Sequence, residues 1–155
     1  MQIWVDADAC PKSIKEILFR AANRTKTMTI LVSNQLLTIP PSPFIKKIRV
    51  SAGLDVADKW IVDAMEAGDL VITADIPLAD AAVTKGGSVL NPRGEMYSEE
   101  NIKHRLAIRD LMTDLRDNGL IRGGPGTLST KEITVFANQL DRLLAKTQVR
   151  GGSIG

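Results

Sequence analysis

The sequence predicts an α/β fold: a three-layer α/β/α sandwich around a mainly parallel sheet of about five strands. Three observations predict it. Short apolar runs alternate with amphipathic stretches along most of the chain, which is the pattern of βαβ units. The 155 residues suit one domain that buries a core without staples. Aromatic residues make up only 4% of the chain, so that core is built from Ile, Leu, Val and Ala. There is no internal repeat and no linker, and residues 1–155 read as a single domain.

Each element has a local cause. Ile3–Val5 is a short buried strand that ends at Asp6. Pro11 suits the first position of a helix, and Ile14, Ile17, Leu18, Ala21 and Ala22 give that helix one apolar face. Met28–Val32 is the second strand. Thr38-Ile39-Pro40-Pro41-Ser42-Pro43 lacks the backbone donors of helix or central strand and forms a loop or arm. Ile48–Ser51 reads as strand three, and Asp55 to Glu66 as a helix stopped at Gly68. Leu70–Thr73 is strand four, a helix begins near Pro77, and Ser88–Leu90 is strand five.

The remainder is helical. Ser98 caps a long helix that stops at Asn118-Gly119. Arg122-Gly123-Gly124-Pro125-Gly126 is a turn-rich loop. Ser129 and Glu132 make a capping box for the last helix, with Ile133, Phe136, Leu140, Leu143 and Leu144 as its core stripe. Val149 to Gly155 reads as a frayed, flexible tail.

Composition excludes several classes. Hydrophobic content of 44% and charged content of 25% are ordinary globular values. Twenty Lys and Arg against 18 Asp and Glu give +2, too small to announce a nucleic-acid partner by itself. One cysteine, Cys10, rules out an intramolecular disulfide and most zinc frameworks. No basic leader and no run of eighteen apolar residues is present, so the expectation is a cytoplasmic protein with no membrane partner.

The acids concentrate at particular places. Asp6 and Asp8 close the first strand, Asp55 and Asp58 open the middle helix, and Asp75 follows strand four with Asp80 five residues on. In a parallel sheet the carboxyl ends of the strands share one edge, where ligands bind. Three segments thus bring carboxylates to one rim, a charge that a hard divalent ion such as Mg²⁺ or Mn²⁺ would neutralise. The helix macrodipole alone also favours Asp8, Asp55 and Asp58 at helix starts. Asp63 and Asp69 read as solvated, and Trp4 and Trp60 as core.

The runs Ile3-Trp4-Val5-Asp6-Ala7-Asp8-Ala9-Cys10-Pro11, Gly53-Leu54-Asp55-Val56-Ala57-Asp58 and Val71-Ile72-Thr73-Ala74-Asp75-Ile76-Pro77-Leu78-Ala79 resemble the YaiI/YqxD family of bacterial proteins. The resemblance spans nearly the whole chain, the glycine loop after Arg122 included. That family is in turn similar to PIN-like nucleases. The resemblance implies a PIN-like fold and metal-dependent hydrolysis of phosphodiesters, with RNA as the expected partner. Asp6, Asp75, Asp58 and Asp55 would be catalytic. These four with Asp8 and, more weakly, Asp80 would be the ligands of Mg²⁺ or Mn²⁺.

Other readings start from the same residues. Asp6-Ala7-Asp8 after a strand resembles the aspartates of haloacid-dehalogenase-type phosphatases, although Cys10 stands where they carry Thr or Val. Cys10-Pro11-Lys12-Ser13 resembles a monothiol glutaredoxin motif, opposed by the nearby acids; a small buried filler is the plainer role for Cys10. A protein that binds RNA without cutting it is a further alternative. Arg122, Gly123 and Gly124 could form a phosphate-binding nest or an ordinary interhelix turn. Lys103, Arg105 and Arg109 could contact phosphates or line a solvated helix face. His104, the single histidine, has no Ser or Cys partner nearby in sequence.

Overall fold

The computed structural model describes residues 1–120 and 126–154. Strands β1 (Ile3–Asp6), β2 (Thr29–Ser33), β3 (Ile45–Arg49), β4 (Leu70–Ile72), β5 (Ser88–Leu90) and β6 (Met96–Tyr97) form one sheet in the order β3-β2-β1-β4-β5-β6. All neighbours are parallel except β5 and β6. The helices are α1 (Lys12–Thr25), α2 (Val56–Ala64), α3 (Ile76–Thr84), α4 (Glu99–Asp117) and α5 (Thr130–Ile154), with a 3-10 turn at Ala7–Ala9. The last helix therefore continues through residues 149–154, which the sequence marks as tail.

The three layers follow from strand residues alternating between two faces. Ile3, Val5, Leu31, Leu70 and Ile72 meet Ile14 and Leu18 of α1 and Phe136, Leu140 and Leu144 of α5. Trp4, Ile30, Val32, Val71 and Val89 meet Ile61 of α2, Leu78, Ala79, Ala82 and Val83 of α3, and Ile102 of α4. The α/β/α sandwich is as expected from the sequence, and so are the Ser98 cap and the Ser129–Glu132 capping box; the reciprocal bond from Asn101 at Ser98 is added by the structure. Ser98 and Asn101 exchange bonds at the start of α4, as do Ser129 and Glu132 at the start of α5.

Two features depart from expectation. Strand β3 covers Ile45–Arg49, three residues earlier than the apolar pattern places it. It is an edge strand, and the exposed Lys46 and Lys47 break the apolar run while guarding the edge against pairing. The sheet also gains a sixth, antiparallel strand of two residues. A turn at Asn91-Pro92-Arg93-Gly94 makes it: Gly94 N–H donates to Asn91 O at 2.9 Å, and Asn91 Oδ1 accepts from the N–H groups of Arg93 and Glu95.

Gly94 is required there. Its φ is +91°, and a Cβ would stand 2.5 Å from Val135 Cγ1 and 2.8 Å from Phe136 N on α5. Gly94→Ala is expected to destabilise the protein by about 2–4 kcal/mol, the sum of positive-φ strain and overpacking. A urea titration showing less than about 1 kcal/mol would mean that α5 moves aside without cost. No helix among the described residues is long and apolar enough to cross a membrane.

Candidate functional site

Strand order reverses between β1 and β4: from β1 the chain builds outward to β3, then crosses back to β4 on the other side. Ligands bind in α/β sheets in the crevice beyond the carboxyl ends at such a point. Asp6 ends β1 and Asp75 stands three residues beyond β4, so both occupy that crevice rim. Asp6 is only 9% exposed.

Thr73 links the two. Its hydroxyl donates to Asp6 Oδ2 at 3.0 Å and accepts from the Asp75 N–H at 3.0 Å. Asp75 in turn caps α3, its Oδ1 accepting from Leu78 N–H at 2.9 Å. Sequence reasoning misses Thr73, although a Thr two residues before an Asp at a strand end is a recognisable turn signature. Asp55 is the residue before α2 and adopts φ +62°, so the chain turns sharply and aims the first turn of α2, with Asp58, at the crevice.

The electrostatics tie these acids together. Asp58 is pushed up to about 7, by burial first and then by the charges of Asp75, Asp6 and Asp55 and a hydrogen bond with Asp75. Asp6 is also raised, by burial above all and by Asp75 and Asp8, against the lowering effect of the Thr73 hydroxyl. Four carboxyls from three segments are thus in electrostatic contact.

Asp8 acts on Asp6 through its charge, and the remaining candidates lie elsewhere. Asp8 is held at the end of β2, where its two oxygens accept from the Ser33 hydroxyl and from Asn34 N–H. Asp80 pairs with Lys103 of α4 at 2.7 Å and takes no part in the cluster. Arg122, Gly123 and Gly124 lie outside the described residues. Arg105 pairs with Glu95, and His104 is exposed. The Cys10 thiol is pushed up to about 12, mainly by burial, which leaves it protonated and suited to packing.

Asp69 corrects the expectation of a solvated acid. It is 6% exposed and sits at the opposite edge of the sheet, just before β4. It accepts from Gln2 N–H, Trp4 Nε1–H and Glu66 N–H, each at 3.0 Å.

A family model described as "Uncharacterized BCR, YaiI/YqxD family" matches residues 4–146. The chain belongs to the YaiI/YqxD family. Relatives in this family bear the name "UPF0178 protein". That of Shewanella amazonensis is 60% identical over 94% of this chain and 98% of its own length. Those of Saccharophagus degradans (58%; 94% and 97%) and a Janthinobacterium species (57%; 97% and 100%) are similar over as much of both chains. No solved structure matches the chain.

The fit to a hard divalent ion rests on donor chemistry. The cluster offers oxygen ligands alone, as Mg²⁺ and Mn²⁺ prefer. Among the described residues no three acidic, His or Cys side chains stand close enough to hold one ion.

The raised Asp58 gives a pH signature. An unfolded aspartate titrates near about 4, so Asp58 binds its proton more tightly in the folded chain. That contribution to stability is full below about pH 4 and is lost as pH rises through about 7. Without divalent ions the melting temperature is expected to fall from pH 5 to 8, and Asp58→Asn to flatten the fall. An unchanged slope in the variant would show that Asp58 is not the titrating group.

Proposed function

We propose that the protein is a metal-dependent phosphodiesterase acting on RNA in the cytoplasm, with a PIN-like arrangement of Asp6, Asp55, Asp58 and Asp75. The observation that carries this reading is the convergence of these carboxyls at the β1/β4 switch point, where burial and the charges of Asp75, Asp6 and Asp55 raise Asp58 to about 7. A perturbed acid cluster in a cleft marks a site where charge is to be neutralised or a proton moved. The resemblance of the aspartate motifs in the sequence to those of PIN-like nucleases points to the same reading.

Asp6 and Asp75 would hold Mg²⁺ or Mn²⁺, with Asp58 and Asp55 beside them. When bound, such an ion lowers the pKa of a water and offsets charge developing on the phosphoryl oxygens. The chain's residues do the positioning. Through its hydroxyl, Thr73 ties the Asp6 carboxylate to the backbone of Asp75. The N-terminus of α3 holds Asp75 oriented as its cap. Asp58 exchanges its proton near neutral pH and so can take up or release one at the crevice. Asp8 has both oxygens engaged by Ser33 and Asn34, which disfavours the free acid–base role of a haloacid-dehalogenase-type phosphatase.

The test pairs a melting curve, with and without Mn²⁺, with cleavage of an end-labelled oligoribonucleotide. Stabilisation by Mn²⁺ together with metal-dependent cleavage is expected. Stabilisation and RNA binding without cleavage would identify a binding protein instead. No effect of Mn²⁺ in either assay would end the metal reading.

A further inference from the structure

The carboxylate cluster opens sideways into a groove of about 550 Å³ between α2, α3 and α4. It is lined by the carboxylates of Asp55, Asp58, Asp63 and Asp75, by the apolar Val62, Pro77 and Ala81, and by the cations Lys59 and Arg109. Leu54 lines the groove too and is 91% exposed, a large apolar side chain held in water directly beside Asp55. This volume falls within the range of small-molecule sites, about 300–1,000 Å³.

We propose that this groove is a nucleotide subsite: it takes one unstacked base against Leu54 and Pro77 and the adjoining phosphate on Arg109. The proposal rests on the phosphodiesterase reading for its orientation relative to the carboxylates. Three observations point to it. The lining offers apolar surface for a base face and two cations for a phosphate, and a divalent ion at its carboxylates would offset their repulsion of that phosphate. Of the basic residues on α4, Lys103 and Arg105 are engaged with Asp80 and Glu95, and neither lines the groove. Arg109 does line it, and its carboxylate contact is to the adjacent Asp110 at 3.2 Å, with both side chains well exposed. An exposed ion pair contributes little, so a phosphate can replace it, and the planar guanidinium fork suits two phosphate oxygens.

Fluorescence anisotropy on the full chain, using a labelled 2′-O-methyl decamer that resists cleavage, in Mg²⁺, tests this directly. Arg109→Ala is expected to weaken binding about tenfold and to lower the slope of log affinity against log salt by about 0.7, the share of one phosphate on a single strand. Leu54→Ala is expected to weaken binding about fivefold or more, from the apolar surface it no longer covers, with the salt slope unchanged. Lys103→Ala, on the same helix but outside the groove, should bind as wild type does. Wild-type affinity in both groove variants would overturn the subsite. So would a fully paired duplex that binds as tightly as the decamer and depends equally on Leu54. Cleavage by the wild type with binding unaffected in both variants would remove the subsite and leave the phosphodiesterase reading intact. Weakened binding in the variants of a protein that never cleaves would do the reverse.

Discussion

Asp6→Asn and Asp75→Asn are each expected to abolish Mn²⁺-dependent RNA cleavage, by a hundredfold or more, while the metal-free protein melts at a higher temperature than wild type. The loss follows from the hard-ion chemistry. Removing even an outer partner of a metal ligand costs about 10–100-fold, and on the proposed reading these two carboxylates would be the ligands. The gain in stability follows from the cluster. Asp6 and Asp58 are raised partly by the charge of Asp75, and Asp58 partly by that of Asp6, so either change relieves a repulsion. Both amides keep the local structure. In the first variant the amide oxygen can still accept from the Thr73 hydroxyl, and in the second an asparagine caps α3 as well as an aspartate does. The measurements are a metal-free melt at pH 8 and a cleavage time course. Variants that melt lower and still cleave would make both aspartates structural.

Asp69→Ala is expected to do the opposite, lowering stability by about 3–5 kcal/mol with no direct effect on metal or substrate. One buried carboxylate satisfies three donors, from Gln2, Trp4 and Glu66. Hydrogen bonds to charged groups contribute about 1.5–3 kcal/mol, and the orphaned donors would be left in a desolvated site. Against a typical total of about 5–15 kcal/mol, that loss brings the fold near its threshold. Guanidinium denaturation of wild type and variant gives the difference, and a loss below about 1 kcal/mol would show that water replaces the carboxylate. The two predictions together separate the edges of the sheet: acids at the carboxyl edge cost stability, and the acid at the amino edge supplies it.

How far these acids can be read from sequence depends on the range of their partners. Asp6 and Asp75 are legible because each lies at or just beyond the end of an apolar strand, and parallel strands must end at a common rim. Strand β5 and the caps of α4 and α5 are legible because their signals lie within four residues. Asp69 is not: it follows Gly68 in what reads as a solvated turn, and Gln2 and Trp4 reach it from more than sixty residues away. Strand β3 is misplaced because its lysines face water at an edge, where apolar periodicity carries no information. Strand β6 has two residues, too few for any period, and only the Asn91-Pro92-Arg93-Gly94 turn signals it. Thr73 escapes notice because its role needs both strands to be in place.

The chain's two tryptophans meet across the sheet–helix boundary, with Trp4 on β1 and Trp60 on α2, ring centroids 5.8 Å apart and planes at 57°. Trp4 is fixed by its bond to Asp69, so Trp60 is the member that travels with α2. The same helix carries Asp58 in its first turn. The protein thus contains its own optical gauge of the crevice. Any ligand that draws α2 toward or away from β1 alters the coupling of two indoles in van der Waals range, and the emission of the unlabelled protein follows it in real time.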